Sequence, residues 1–166
     1  MQNRTARYWI EKLDLLKHPE GGWYKETYRS KDIIDKEALP EIFSGNRNIS
    51  TAIYYLLEKG DYSAFHRIKS DEIWHFHDGG PLEIIELNPD GKLITHCLGL
   101  NPDIGCIPQV IIPANSWFAA RPLSTFAFVG CTVSPGFDFE DFEMGEKQLL
   151  TKLFPDYGNI IDELCR

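Results

Sequence analysis

The sequence predicts an all-β domain, a sandwich or barrel of short strands with a helix in front and short helices behind. Three observations carry this. About nine segments rich in β-branched and aromatic residues follow one another at nearly even spacing from residue 23 to 133, with Gly, Pro, Asn and Asp turns between them. Helical periodicity is confined to the two ends of the chain. The 166 residues are 43% hydrophobic and 13% aromatic, enough for one domain that buries its own core without staples.

The elements follow in order. Residues 5–17 carry apolar side chains at 6, 9, 10, 13 and 16, one helical face, with Thr5 as N-cap. His18-Pro19-Glu20-Gly21-Gly22 stops that helix. Residues 23–30 (WYKETYRS) read as a strand, and 31–48 as a long polar loop. Strands are expected over 49–57, 62–68, 72–77, 82–88 and 92–100, the last two joined through Pro89-Asp90-Gly91. Three more cover 109–113, 116–120 and 124–133. Helices return at 145–155 and 159–166. The core barrel spans about residues 22–135 of a single domain covering 1–166.

Charge and composition exclude several functions. The net charge is −8, from 17 Lys+Arg against 25 Asp+Glu. Such a surface is unsuited to nucleic acid, whose backbone is held by Lys and Arg, and to anionic membranes. No apolar run reaches transmembrane length, and the first residues lack the apolar stretch of a secretory signal. The cysteines Cys97, Cys106, Cys131 and Cys165 form no CxxC pair. They are expected as reduced, mostly buried thiols of a cytoplasmic protein, with Cys131 in a segment that lines a pocket. No GxGxxG or GxxxxGK pattern is present, so no nucleotide cofactor is expected.

The chemistry concentrates in residues 60–79, GDYSAFHRIKSDEIWHFHDG. His66 and Glu72 fall on adjacent strands joined by a tight turn. Strand alternation puts Ala64 and Ile68 on the face of His66, and Trp74 and Phe76 on the face of Glu72, with His75 and His77 pointing away. An imidazole and a carboxylate among apolar groups make a small-molecule pocket, with shifted pKa values. The plainer alternative is a single His–Glu hydrogen bond between two strands.

Gly60, His66, Glu72 and Gly79 match the spacing of the first motif of the cupin superfamily. Ile68 stands where that motif has its second histidine. In Pro113-Ala114-Asn115-Ser116-Trp117-Phe118, Asn115 stands for the glycine of the second motif and Phe118 for its histidine. HPEGGWYKETYRS, STAIYYLL, FHRIKSDEIWHFH, PANSWFAARP and FVGCTVSPGFDF resemble the small single-domain proteins of cupin family 5, a domain of unknown function similar to sugar epimerase-like cupins. The resemblance implies a double-stranded β-helix, or jelly roll. It also implies a homodimer, which Trp23, Tyr24 and Tyr28 in an early strand and an outer face at Ile73 and His75 would serve.

Many cupins hold a divalent metal with three His and one Glu. Here only His66 and Glu72 carry over, too few ligands for a tight site, so no metal or other cofactor is expected. The functional expectation is a protein that binds a small polar or carbohydrate-like molecule in the barrel pocket. An isomerase or epimerase without metal would use His66 as base and Glu72 to orient it or tune its pKa. Tyr24 or Tyr28 would be the acid partner. Trp74, Phe76, Phe118 and Cys131 complete the candidate binding set. The alternatives are a binding or sensing module without turnover and a structural interaction protein.

Overall fold

A computed structural model describes residues 4–166. Helix α1 (Ala6–Leu13) begins where the Thr5 side chain accepts a hydrogen bond from the Tyr8 amide, and ends at Asp14 in the left-handed conformation, φ 53°. The Lys25 ammonium donates to the freed Leu13 carbonyl at 2.7 Å. The expected helix to residue 17 is therefore too long. Leu16 and Lys17 form a short strand, β1 (Leu16–Lys17), paired with Tyr24 and Trp23 of β2 (Trp23–Arg29). Residues 31–48, read as loop, contain a small ribbon of β3 (Ile33–Ile34) and β4 (Arg47–Asn48).

The barrel strands are β5 (Thr51–Glu58), β6 (Ser63–Arg67), β7 (Asp71–Gly79), β8 (Leu82–Leu87), β9 (Leu93–Leu98), β10 (Gln109–Ile112), β11 (Trp117–Pro122), β12 (Phe126–Ser134) and β13 (Glu143–Met144). They pair antiparallel in two sheets, ordered β1-β2-β5-β12-β7-β10 and β13-β6-β11-β8-β9. This is the sandwich of short strands that their spacing predicted, in the jelly-roll form that the family resemblance implied. Alternation sends Tyr55, Trp74, Ile84 and Phe118 between the sheets into the main core. The outer faces are covered at the ends of the chain. Trp9, Ile10 and Leu13 of α1 pack on Leu56, Phe126 and Phe128. Helices α2 (Lys147–Leu153) and α3 (Gly158–Leu164) bring Leu150, Ile161 and Leu164 onto Phe65, Ile85 and Trp117. Burying each such side chain contributes about 2 kcal/mol.

One cysteine expectation is corrected. Cys97 and Cys106 are joined in a disulfide, whereas Cys131 and Cys165 are free. The chain after β9 doubles back, with Gly99 N–H donating to Ile107 O at 2.8 Å and Ile107 N–H to Cys97 O at 2.9 Å. That return places the two thiols side by side, a long-range consequence invisible in sequence spacing. Among the described residues, no helix is long and apolar enough to cross a membrane.

Candidate functional site

Glu72 is the second residue of β7, two before Trp74 on the same inner face. Across the gap, His66 comes from β6 on the opposing sheet. Strand parity thus delivers both side chains inward, 3% exposed for His66 and 8% for Glu72. His75 and His77 lie on the other face. His75 sits within hydrogen-bond reach of Gln109 and Thr132, and His77 packs on Tyr54 and Phe128. Between the sheets, at this end of the barrel, is a cavity of about 290 Å³, with His66, Glu72, Tyr24, Cys131 and Ile68 on its wall.

The residues placed in the site by sequence divide. Tyr24 and Cys131 line the cavity. Trp74, 1% exposed, packs edge-on against Tyr55 and Phe118 as core. Phe76 packs against the same core. Phe118 packs at a tilt against His66 with ring centroids 4.1 Å apart, buttressing the imidazole instead of lining the cavity. Tyr28 is 54% exposed on the outside. The reason is a bulge: Glu26 pairs with Ile53 but Tyr28 pairs with Ala52, so Thr27 is the extra residue. Beyond the bulge the inward position passes to Arg29. Of the aromatics suggested for a dimer surface, Tyr28 stays exposed, Tyr24 faces the cavity and Trp23 packs toward α1.

Sequence reasoning missed a second set of wall residues. His18 and Glu20 come from the segment read only as a helix stop. Gly21 and Gly22 have φ of 118° and 73°, and a Cβ on Gly21 would collide with the Tyr62 carbonyl. The two glycines let this turn press against the barrel, where the Ala64 amide donates to Glu20 O at 3.0 Å. Glu20 is thereby buried, with Oε2 3.1 Å from His66 Nε2. Its other oxygen lies 3.6 Å from His18 Nδ1. Glu26 and Arg29 lie across the mouth, and Phe137, Phe139 and Phe142 form an aromatic strap over it. Asp141, within the strap, is bound by Arg47 in a buried two-pronged ion pair and by Lys69 at 3.1 Å.

Hydrogen bonding fixes the state of His66. Its Nδ1 is 2.8 Å from the Ala64 carbonyl, which only accepts, so Nδ1 carries a proton. The Nε2–Glu20 contact then needs one shared proton. Burial between Phe118 and Phe142 disfavours the imidazolium and pushes the His66 pKa down to about 4, against the opposing pull of the Ala64 bond. Burial likewise raises the Glu20 pKa. Burial thus favours a proton on Glu20 and disfavours one on His66 Nε2, so the carboxyl faces a neutral imidazole. Burial, above all, pushes Glu72 up to about 8, while the Cys131 thiol partly offsets this. Glu72 is a neutral acid at pH 7. Burial and the Glu72 carboxyl hold the Cys131 thiol well above its ordinary value, so it is no nucleophile.

The residues do not fit a tightly held metal. Ile68 and Phe118 offer no donor, and among the described residues no three His, Cys, Asp or Glu side chains converge as a ligand set.

The family signature of the cupin superfamily (DUF985) matches residues 7–145. The Saccharomyces cerevisiae protein YML079W, itself uncharacterized, is 33% identical over 160 residues, covering 89% of this chain and 79% of that one. Protein SO0799 from Shewanella oneidensis superimposes with a TM-score of 0.88 at 36% identity, covering 98% of each chain. A hypothetical protein from Leishmania major also gives 0.88, at 30% identity, covering 98% of this chain and 99% of that one. Oxalate decarboxylase from Bacillus subtilis shares the fold alone: TM-score 0.55, 13% identity, 89% of this chain on 36% of that one. Family signature, relatives and jelly roll agree that this chain belongs to the cupin superfamily, in its DUF985 family.

Proposed function

We propose that the protein binds a small polar, carbohydrate-like molecule in the cavity and moves a proton on it without a metal, as an isomerase or epimerase does. The observation that carries this reading is the buried Glu20–His66 contact, 3.1 Å, opening with Glu72 onto one cavity. Glu72, protonated at neutral pH, donates a hydrogen bond to a ligand carbonyl or hydroxyl oxygen. Glu20 bridges ligand and His66. One carboxyl oxygen takes a proton from the ligand carbon while the other passes its proton to His66 Nε2. The imidazolium so formed keeps its Nδ1–H bond to the Ala64 carbonyl. His66 and Glu20 thus act as one base, and Glu72 as the acid.

A binding or sensing module without turnover is the second reading. The apolar wall favours it: Ile53, Ile68, Val133 and the three phenylalanines of the strap supply contact surface and no chemistry. One experiment separates the two. Free aldoses and ketoses are incubated with the protein in D₂O, and deuterium at the carbon beside the carbonyl is measured. Proton transfer predicts incorporation that falls at least about 100-fold in His66→Gln and in Glu20→Gln. Ligand binding seen by saturation-transfer NMR, with no incorporation, selects the module. Absence of both overturns the site.

A further inference from the structure

The charged groups at the cavity mouth are arranged to leave no cation free for a ligand. Arg29 is the one Arg or Lys among the described lining residues. Its guanidinium has five N–H donors, and four are spent within the protein. Nε and Nη2 donate to the two carboxylate oxygens of Glu26 at 3.1 and 2.8 Å. Nη1 donates to Asn48 Oδ1 at 2.8 Å and to the Phe137 carbonyl at 3.1 Å. The remaining ionisable neighbours on the wall are Glu20, Glu72, Asp138, Tyr24, Cys131 and the two neutral imidazoles, none of them a cation.

An anion entering such a space loses its water and finds no counter-charge, which is costly. A phosphate or carboxylate group also needs the forked donors that Glu26 already occupies. Size points the same way. At about 290 Å³ the cavity lies at the lower limit for small-molecule sites, room for one ring and its substituents. A sugar ring has an apolar face to set against the phenylalanines of the strap and hydroxyls to meet the carboxyl groups.

We infer that the cavity selects an uncharged molecule of single-ring size, a free sugar or polyol, and that the Glu26–Arg29 pair excludes its phosphorylated and carboxylated counterparts. This rests on the binding reading above and narrows it to a class. It also separates the site from any that takes a sugar joined to a nucleoside diphosphate, which is both anionic and too large.

The test uses the whole protein and matched probes. Neutral hexoses, pentoses and inositol are compared with hexose 1-phosphates, hexose 6-phosphates and uronates by saturation-transfer NMR. Neutral probes giving signals that compete with one another, with none from the charged partners, is the expected result. A phosphorylated or carboxylated probe that binds as well as its neutral parent overturns the selectivity while leaving the binding site standing. No signal from either set overturns both. A charge switch adds a gain-of-function arm with inorganic phosphate as probe. Glu26→Gln frees the guanidinium, and phosphate affinity should rise about tenfold or more over wild type, the weight of one charge-assisted contact. Phosphate binding unchanged by Glu26→Gln, in a variant whose amide spectrum stays that of the folded protein, overturns the role of the pair.

Discussion

Glu20 Oε2 lies 3.1 Å from His66 Nε2, and both side chains are buried. The contact joins a turn between the first two strands to the first motif histidine on the opposite sheet. It holds the imidazole from one side while the Ala64 carbonyl holds it from the other. In cupins with a metal, that lone pair faces an ion. Here it faces the Glu20 carboxyl.

Stability should change with pH in a way set by Glu72 and His66. The Glu72 carboxyl is raised to about 8, so the folded state holds a proton that the unfolded chain has released above its ordinary value near 4.5. Its effect is to lower stability as pH rises from about 4.5 to 8. The His66 imidazole is depressed to about 4, so its effect is to lower stability as pH falls from 6.5 to 4. The two oppose each other between 4.5 and 6.5. From 6.5 to 8 the Glu72 effect is no longer opposed by His66, and urea unfolding should show stability falling by about 2 kcal/mol on its account. Glu72→Gln should be flat across that range and more stable than wild type at pH 8. A wild-type curve that rises from pH 6.5 to 8 contradicts the burial of a protonated Glu72.

The aromatic strap depends on Arg47. Its guanidinium meets Asp141 in a two-pronged contact, and both side chains are almost wholly buried. Arg47→Leu leaves the Asp141 carboxylate with Lys69 alone and should cost about 3 kcal/mol in urea unfolding. A loss under about 1 kcal/mol would show that the strap is held by its phenylalanines.

Phe139 is the exposed member of the strap, 60% accessible, edge-on to Phe137 at 5.1 Å. Phe139→Ala should change stability by less than about 1 kcal/mol. It should weaken the best neutral sugar probe roughly fivefold, the value of one lost stacking contact. Equal affinity in variant and wild type places the ligand deeper than the strap.

Metal content follows from the side chains that replace the ligands. Protein purified without added metal should carry well under one equivalent of Fe, Mn, Ni or Zn by elemental analysis. One equivalent that is lost in His66→Ala contradicts the reading of Ile68 and Phe118 as vacant ligand positions.

Much of this was legible in the sequence where neighbouring residues decide the outcome. Period-two alternation put His66, Glu72 and Trp74 on inner faces, and the motif spacing put His66 and Glu72 together. Alternation failed at Tyr28, because one extra residue at Thr27 exchanges the faces and leaves no mark in composition. Glu20 was hidden differently. HPEGG reads locally as a helix stop, and only the approach of Gly21 to the Tyr62 backbone, a contact between distant segments, turns it into a wall of the site. Its presence in the segment that carries the family resemblance was the one available signal. The strap residues Phe137, Phe139 and Phe142 sit in irregular chain, where periodicity says nothing. Arg29 was in plain view as a strand residue, but its role needs both the bulge and the Glu26 partner.

The state of His66 can be read directly from its ring nitrogens. Long-range ¹H–¹⁵N spectra followed from pH 8 to 4 report which nitrogen carries the proton and when the ring becomes charged. The expected result is a single tautomer protonated at Nδ1, neutral throughout the range above about pH 4.5, with titration moving toward its ordinary value in Glu20→Gln only if the neighbouring cavity fills with water. An imidazolium present at pH 6 or above, or a proton on Nε2 in the neutral ring, would contradict a neutral His66 base beside Glu20.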